Sequence, residues 1–475
     1  MKIKLVISFM VLLSLASCNN VYRIAKHNIP GITDYLVFDL DIIDKPDTAF
    51  IFPQSDQALL LPSPSDWVTG KHVSKRQDFE TFLRRTGTVS FLIIKNDSIL
   101  YENYFHNYRQ STAAQVFSIT KSLVSALVGI AIEEGYITDI NQKVSDFIPA
   151  YKEDGRDAIT VMHLLNMTDG LNFSDYTTMH LLLGMYYHNN QKAYVDKIKL
   201  KHNPGEVFEY KSVSTLILGM VLEQATGRPL AKYIEEKIWK PLGMEYTAAM
   251  MLDSPDGTPL AYGGLVARAR DLAKIGRLYI NKGNWEGTQI IPEKWVENSF
   301  LRDTVFGQYY NYNKSWWLDT YIDRPLFEKR DLFAGGYAGQ VLYINPEHDL
   351  IIVRQGNKRS GIKWGNSISK LAFLIVNEKN DEEPFFIDKN FLAGNYKNHS
   401  GINFEIKIVN NRLLITDGFV TIPLEKESML NYRNRKENIQ LFIDYIEGEV
   451  NGLFLDRNRS IEYFSKDVEF IVEVD

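Results

Sequence analysis

An alcohol and an amine lie three positions apart in the segment Ser118-Ile119-Thr120-Lys121, at the start of a long apolar run. Residues three apart share one face of a helix, so the Ser118 hydroxyl and the Lys121 amine would point to the same place. Serine is a weak nucleophile unless a base takes its proton, and lysine can be that base where burial lowers its pKa. The same spacing is also typical of an N-cap serine followed by a solvated lysine.

A tyrosine stands just ahead of a second apolar run. The segment 204–212 contains Tyr210 and leads directly into the run 216–227. A turn that precedes a buried helix can present the Tyr210 phenol beside the Ser118–Lys121 pair, where it could relay a proton to a leaving group. An ordinary half-buried tyrosine would fit this pattern equally well.

The segment 333–340 contains glycines that lead into a strand-like run. Glycine lets a backbone approach a ligand closely, so Gly335 and Gly336 are candidates for substrate binding. Backbone N–H groups of this segment could complete an oxyanion hole with the N–H of Ser118. A glycine-rich turn before a strand would explain the segment without any catalytic role.

An apolar run and a hairpin pattern predict two of the elements that would position these residues. The run 118–134 is apolar on all sides and is followed by Gly135, which is typical of a helix buried in a large core. The runs 88–95 and 98–104 flank the turn 96–97 and predict a β-hairpin.

Further strands are predicted near the other end of the same region. The runs 340–344 and 350–354 are rich in β-branched residues, and a predicted helix follows near 367–377. Strands at both ends of a region with helices between them indicate one mixed sheet.

Composition excludes several classes of protein. The 475 residues are 45% hydrophobic and 24% charged, which is typical of a soluble globular chain. The formal net charge is −6, and there is no basic block, so no nucleic-acid partner is expected. The single cysteine excludes an intramolecular disulfide framework and a thiolate metal site, and we expect no metal.

Together, in this order and spacing, the three segments resemble the β-lactamase-related serine hydrolases over roughly residues 80–378. The segments 163–171, 239–244 and 263–273 reinforce the resemblance, and the last is most similar to the aminohexanoate-dimer hydrolase and esterase branch. The resemblance implies an α/β (α+β) fold, in which a mixed, mostly antiparallel sheet is flanked by helices and joined by a helical subdomain. It implies no metal or other cofactor.

The resemblance also implies roles for the residues of the three segments. Ser118 would be the acylated nucleophile, Lys121 its base and Tyr210 the proton shuttle. The N–H groups of Ser118 and Tyr337 would form the oxyanion hole. The pair Trp316-Trp317 could line an acyl pocket, with Trp316 as the candidate for substrate binding, although adjacent aromatic residues more often belong to a core.

The chain departs from the family pattern at two places. Where many members have Tyr-x-Asn, this chain ends the tripeptide with Ser212, whose hydroxyl could donate a hydrogen bond to a substrate carbonyl. Where β-lactamases and carboxypeptidases have Lys-Thr-Gly or His-x-Gly, residues 334–336 are Ala-Gly-Gly. The missing cation would have bound a substrate carboxylate, so neutral esters or amides are favoured over penicillins and D-Ala-D-Ala peptides.

The leading hypothesis is therefore a serine hydrolase that forms an acyl-enzyme on a small-molecule or peptide-like ester or amide. One alternative is a penicillin-binding-protein-like or sensory protein that acylates slowly or only binds cell-wall fragments. A D-alanyl peptidase or β-lactamase is a second alternative, and a pure scaffold is a third. The sequence does not predict an oligomeric state.

The chain divides into five predicted parts. These are a lipoprotein signal peptide (1–17), a tether and irregular N-terminal extension (18–80), the β-lactamase-like domain (81–378), a charged linker (379–386) and a small all-β domain (387–475).

The first part carries an export signal. Lys2 and Lys4 precede a short apolar run that ends at Leu15-Ala16-Ser17-Cys18, which resembles a bacterial lipobox. Lipid on Cys18 would anchor the protein to the cell envelope, and Asn19 resembles an outer-membrane sorting residue. An uncleaved membrane anchor or a chance buried cysteine is the alternative.

Replacement of the lipidation site tests the anchor. We expect the Cys18→Ala protein to move from the membrane fraction to the soluble fraction, because no acyl chain can be attached. Fractionation of cells that incorporate a labelled fatty acid measures this, with Ser17→Ala as the control. A Cys18→Ala protein that still pellets with membranes would contradict the lipoprotein hypothesis.

Overall fold

The computed structural model describes residues 30–305, 308–319, 330–377 and the strands between 392 and 466, apart from residues 57, 58, 60, 70–72, 74–76 and short C-terminal connections. The predicted signal peptide, Cys18 and the predicted linker 379–386 lie outside the described residues. Of the helices that the structure describes, none has both the length and the apolarity to cross a bilayer.

Fifteen short strands lie before residue 378 in the described chain. They are β1 (Asp39–Ile43), β2 (Thr88–Lys95), β3 (Ser98–Tyr104), β4 (Ala114–Gln115), β5 (Ala248–Leu252), β6 (Leu265–Ala267), β7 (Asn284–Trp285), β8 (Thr288–Gln289), β9 (Asp303–Val305), β10 (Gln308–Tyr310), β11 (Tyr312–Asn313), β12 (Trp316–Leu318), β13 (Leu332–Gly336), β14 (Gln340–Asn345) and β15 (Leu350–Gly356).

The described chain also contains eleven α-helices. They are α1 (Pro64–Trp67), α2 (Phe79–Arg85), α3 (Ile119–Glu133), α4 (Val161–Leu165), α5 (Met179–Tyr186), α6 (Gln191–Val195), α7 (Ser212–Thr226), α8 (Leu230–Ile234), α9 (Ala269–Ile280), α10 (Glu293–Ser299) and α11 (Trp364–Val376). Single 3₁₀ turns lie at Asp34–Leu36, Val144–Asp146, Pro149–Tyr151, Arg156–Ala158 and Tyr337–Gly339, and a π-helical turn at Glu235–Trp239.

A seven-stranded antiparallel sheet forms the centre of the molecule, in the order β11-β12-β13-β14-β15-β2-β3. Successive side chains of a strand point to opposite faces. Ile351 and Val353 therefore pack in one core with α3 and α9, whereas Leu350 and Ile352 pack in the other core with α2 and α11. Because both faces are covered, the central strands are mostly apolar, and polar residues such as Arg354 and Gln355 of β15 are buried.

A smaller sheet, in the order β1-β5-β6-β4, holds the chain that enters α3. Beyond β4, the Val116 N–H donates to the carbonyl of Leu265, in the partner strand β6, at 2.9 Å. Helix α3 then runs into the core, where Ile119–Ala131 are buried, and packs against α7. The start of α3 is thereby fixed between the two sheets.

The C-terminal strands form a closed antiparallel barrel. Its strands follow one another in chain order: β16 (Gly394–Lys397), β17 (Asn403–Val409), β18 (Arg412–Thr416), β19 (Thr421–Ser428), β20 (Asn431–Asn434), β21 (Ile439–Ile446), β22 (Glu449–Arg457) and β23 (Ser460–Lys466). Its interior is apolar and includes Tyr396, Leu413, Leu441 and Leu453. Closure removes the exposed sheet edges that an open sheet of this size would have.

The fold class predicted from sequence is confirmed, and several elements match closely. The predicted hairpin has the bounds of β2 and β3, and Asn96 and Asp97 have φ of 51° and 57°, as its two-residue turn requires. The helix predicted at 118–134 is α3, and Gly135 follows it with φ of 77°. Strand β1, within the extension predicted as irregular, pairs with β5.

Helix α3 offers a test of the close packing of the core. A Cβ at Gly129 would lie 2.6 Å from the Trp295 ring, whereas a Cβ at Gly184 in α5 meets atoms only at 3.6 Å or beyond. Overpacking should make Gly129→Ala less stable by about 1–3 kcal/mol. The matched control Gly184→Ala should gain about 0.5–1 kcal/mol from helix propensity.

Urea denaturation monitored by tryptophan fluorescence measures both changes. Equal effects of the two substitutions would contradict the close approach of α10 to α3.

Candidate active site

Ser118 lies at a tight turn between β4 and α3. Phe117, just before it, has φ of 48°, which is strained for a residue with a large side chain. Two hydrogen bonds of Thr120 hold this turn, because its hydroxyl donates to the Phe117 carbonyl at 2.7 Å and accepts from the Leu265 N–H at 3.2 Å. The turn presents the half-buried Ser118 side chain at the amino end of the helix.

Lys121 lies one turn further along α3 and is only 1% exposed. Its Nζ is 2.7 Å from Ser118 Oγ, 2.9 Å from the Tyr262 carbonyl oxygen and 3.2 Å from Ser212 Oγ. Burial lowers the pKa of Lys121 to about 8, although the nearby Asp175 carboxylate opposes this. The amine is therefore neutral in part of the molecules near neutral pH and can accept a proton.

A buried carboxylate, Asp175, completes the polar surroundings of Lys121. Its two oxygens accept hydrogen bonds from Ser212, at 2.7 Å from the backbone N–H and 2.6 Å from the hydroxyl. Burial raises the pKa of Asp175 above its usual value, although Lys121 and the hydrogen bonds from Ser212 oppose the rise. The carboxylate thus faces the lysine across the Ser212 hydroxyl.

The position of Ser212 corrects its predicted role. The side chain does reach the site, but it is only 3% exposed. A hydroxyl has one proton to donate, and that of Ser212 goes to Asp175. It is not available as a donor to a substrate carbonyl.

The Tyr210 phenol lies beside the same pair. Its ring centre is 5.2 Å from Lys121 Nζ, and its hydroxyl lies near the Ser118 side chain. Burial raises the pKa of Tyr210 well above its usual value, so the phenol keeps its proton at neutral pH. The structure thus brings together Ser118, Lys121 and Tyr210.

Aromatic rings surround Tyr210 on its other sides. Trp317 stacks on it at 5.3 Å, Tyr312 meets it edge-on at 5.7 Å, and Tyr176 lies 5.9 Å away. Tyr176 is 55% exposed, and Trp317 is half-buried. These rings give the site an apolar wall that reaches the surface.

The structure contradicts the prediction that Trp316 lines an acyl pocket. It is fully buried and packs 4.7 Å from the Tyr279 ring in the core. Neighbouring residues in a strand point to opposite faces, so it is Trp317 that turns toward Tyr210. Trp316 therefore has no surface to offer a substrate.

The glycine segment lies against the turn that carries Ser118. A Cβ at Gly336 would lie 2.6 Å from the Val116 carbonyl oxygen, so only glycine fits there without a shift. Next to it, the Tyr337 ring packs 5.4 Å from the Phe117 ring. Gly335 is half-buried, one residue further from the turn. The end of β13 and the start of α3 are thus in contact.

A buried arginine supports the turn after β13. The Arg354 guanidinium, fully buried, donates to the carbonyls of Ala338 and Gly339 and to the Thr88 hydroxyl. It also stacks on the Trp364 ring at 3.5 Å. These contacts fix the backbone around Tyr337.

Lys211, between Tyr210 and Ser212, points away from Ser118. Its Nζ lies 3.3 Å from Asp169 and 3.0 Å from the Leu171 carbonyl oxygen, in a buried ion pair. Asp169 also accepts from the Ser214 hydroxyl at 2.6 Å. This pair fastens the segment that carries Tyr210 to the segment before Asp175.

Sequence comparison agrees with this geometry. The family model described as Beta-lactamase matches residues 76–375. The chain belongs to the beta-lactamase family. The resemblance to β-lactamase-related serine hydrolases is thereby confirmed. Within the described ranges, no cluster of His, Cys, Asp or Glu side chains is arranged to hold a metal ion.

Individual relatives in this family are hydrolases. The 6-aminohexanoate-dimer hydrolase of Paenarthrobacter ureafaciens is 25% identical over 300 residues, which cover 58% of this chain and 74% of that protein. The N-acetylmuramyl-L-alanine amidase of Bacillus subtilis is 23% identical over 276 residues, which cover 46% of this chain and 62% of that protein.

Solved structures show the same beta-lactamase-like fold. A Bacillus anthracis protein provisionally named a 6-aminohexanoate-dimer hydrolase has a TM-score of 0.60 and 23% identity, over 73% of this chain and 92% of that one. A penicillin-binding protein homologue from Pyrococcus abyssi has a TM-score of 0.51 and 20% identity, over 81% of this chain and 98% of that one.

Two contributions to the site were missed by the sequence analysis. They are the Asp175 carboxylate and the Tyr262 carbonyl. Asp175 lies 37 positions from its partner Ser212, and a backbone carbonyl has no sequence signal. Trp317 was considered together with Trp316, and the alternation of side chains along a strand could have distinguished the two.

The buried amine predicts how the reactivity of Ser118 depends on pH. The neutral form of Lys121 accepts the proton, so the rate of Ser118 labelling by a fluorophosphonate should rise through a pKa of about 8 and level off above it. Mass spectrometry of timed samples measures that rate.

Lys121→Arg is the matched variant, since a guanidinium stays protonated and should slow labelling by at least about 100-fold. A labelling rate that does not change with pH would contradict the role of Lys121.

Proposed function

We propose that this protein is a serine hydrolase that forms an acyl-enzyme on Ser118 and hydrolyses an ester or amide. The observation that carries the proposal is the 2.7 Å contact between Ser118 Oγ and Lys121 Nζ. The amine is buried, and its pKa is lowered to about 8, so it can take the hydroxyl proton during attack.

Acylation would proceed in balanced steps. Lys121 takes the proton from Ser118 as Oγ bonds to the substrate carbonyl carbon. Tyr210 then gives its proton to the leaving amine or alcohol, the bond to that group breaks, and Lys121 returns a proton to Tyr210. The high pKa of the phenol suits a donor that must be protonated at the start.

Deacylation would use the same groups in reverse. A water molecule loses its proton to the Lys121–Tyr210 pair and attacks the ester formed on Ser118. The proton returns to Ser118 Oγ as the acid product leaves. No further base is required, which fits a site in which the buried Lys121 is the group of lowered pKa beside Ser118.

The negative oxygen of the intermediate would be bound by the N–H groups of Ser118 and Tyr337. The close packing of Gly336 on Val116, and of Tyr337 on Phe117, supports this pairing because it brings the two backbone segments together. Backbone N–H groups held in this way stabilise charge without moving.

The walls of the site favour a neutral substrate with apolar character. Aromatic rings of Tyr176 and Trp317 line the approach to Tyr210, and residues 334–336 carry no charged side chain. The names of two relatives, a 6-aminohexanoate-dimer hydrolase and an amidase, support amide cleavage. With the lipid anchor predicted at Cys18, the enzyme would act at the bacterial cell envelope.

A chromogenic short-chain ester tests the proposal. We expect a burst of product followed by steady turnover, together with a mass increase on the peptide that contains Ser118. Ser118→Ala should lose both the adduct and turnover, with kcat lower by about 10⁴-fold or more.

Parallel assays with a linear amide, a D-alanyl peptide and nitrocefin separate the substrate classes. A stable adduct without product release would favour a sensory or penicillin-binding protein instead. Absence of any adduct with ester, amide and fluorophosphonate would exclude a serine hydrolase.

A further inference from the structure

The hydrogen bonds around Lys121 define where its lone pair must point. A neutral lysine amine has two N–H groups and one lone pair. Its three neighbours are Ser118 Oγ, Ser212 Oγ and the Tyr262 carbonyl oxygen. A carbonyl oxygen only accepts, so one N–H is committed to Tyr262.

Asp175 decides the direction of the second bond. A carboxylate only accepts, and its two oxygens lie 2.7 Å and 2.6 Å from the backbone N–H and the hydroxyl of Ser212. The one proton of the Ser212 hydroxyl is therefore committed to Asp175. Toward Lys121, the same oxygen can only accept.

Both N–H groups of the neutral lysine are then occupied, by Tyr262 and Ser212. The lone pair is left facing Ser118 Oγ, where it can accept the hydroxyl proton. We propose that Asp175 is a positioning residue that, through Ser212, directs the lone pair of Lys121 at Ser118 and stabilises the ammonium formed when Ser118 is acylated. This inference rests on the proposed function, because it concerns the base of that reaction.

The charges around the pair agree with this assignment. Asp175 faces two lysines, Lys121 and Lys211, and Lys211 is paired with Asp169 at 3.3 Å. The phenols of Tyr210, Tyr262 and Tyr312 also lie near Asp175, and each is neutral because burial raises its pKa. The negative charge of Asp175 is therefore matched with the positive charge that appears on Lys121.

Asp175→Asn removes the negative charge with little change in side-chain shape. It also removes the requirement that the Ser212 hydroxyl donates its proton to residue 175. The amide nitrogen of an asparagine can donate to Ser212, whose hydroxyl could then donate to the lysine lone pair and turn it away from Ser118. We expect fluorophosphonate labelling of Ser118 to slow by about 100-fold, which is typical of a lost general base.

The same variant has a second readout that a structural role would not change. Asp175 raises the pKa of Lys121, so its neutralisation lowers that pKa further. The rise of the labelling rate with pH should therefore move to lower pH in Asp175→Asn, while the plateau falls. Loss of folded protein would lower the plateau without moving the midpoint.

Ser212 provides the matched pair of variants. Alanine leaves Lys121 and Asp175 without their shared partner. Asparagine can accept from Lys121 through its amide oxygen and donate to Asp175 through its amide nitrogen. Both hydrogen bonds then keep the direction that they have with Ser212. We expect Ser212→Asn to label at least about tenfold faster than Ser212→Ala.

The experiment measures single-turnover labelling of Ser118 against pH for the full chain and these variants. Asp256→Asn, an exposed aspartate outside the site, is the control for the substitution itself, and thermal melting reports folding. A folded Asp175→Asn protein with the wild-type rate and midpoint would overturn the inference, and so would equal rates for Ser212→Asn and Ser212→Ala. If wild-type Ser118 is not labelled, it is the proposed function that fails.

Discussion

The burial of one amine against one alcohol is the interaction on which the rest of the structure depends. A lysine taken out of water loses hydration, which destabilises its charged form and lowers its pKa. Lys121 tolerates this because each of its polar directions has a partner within 3.2 Å: Ser118, Ser212 and the Tyr262 carbonyl. The same burial that destabilises the charged amine makes its neutral form available as a base near neutral pH.

The three segments that form the site come from different parts of the chain, and separate contacts hold each segment. The turn at Ser118 is fixed by Thr120, the segment around Tyr210 by the buried Lys211–Asp169 pair, and the turn at Tyr337 by Arg354. These three anchors are themselves polar and buried, so they specify one arrangement where apolar packing alone would permit several. Lys211, Asp169 and Arg354 therefore hold the backbone of the site in place and take no part in the proposed reaction.

Local signals predicted much of this architecture from sequence. The bounds of β2, β3 and α3 follow from apolar patterning and turn residues, which act over a few positions. What the sequence could not show depends on contacts between distant segments or on the direction of a proton. Asp175 is recognisable only once folding brings it to Ser212, and Ser212 changes from substrate donor to lysine acceptor because Asp175 takes its proton. Of the pair Trp316-Trp317, only Trp317 faces the site, because neighbouring side chains alternate along β12.

Ser212 departs from the family pattern Tyr-x-Asn but can keep the same two hydrogen bonds, one accepted and one donated. An asparagine there could accept from the lysine and donate elsewhere within one side chain. A serine hydroxyl can also do both, but its single proton needs a fixed acceptor, which Asp175 supplies at 2.6 Å. The pair also introduces a negative charge near Lys121 that a neutral amide would lack. The site thus combines a desolvated base, whose pKa falls, with a counter-charge that limits the fall to about 8.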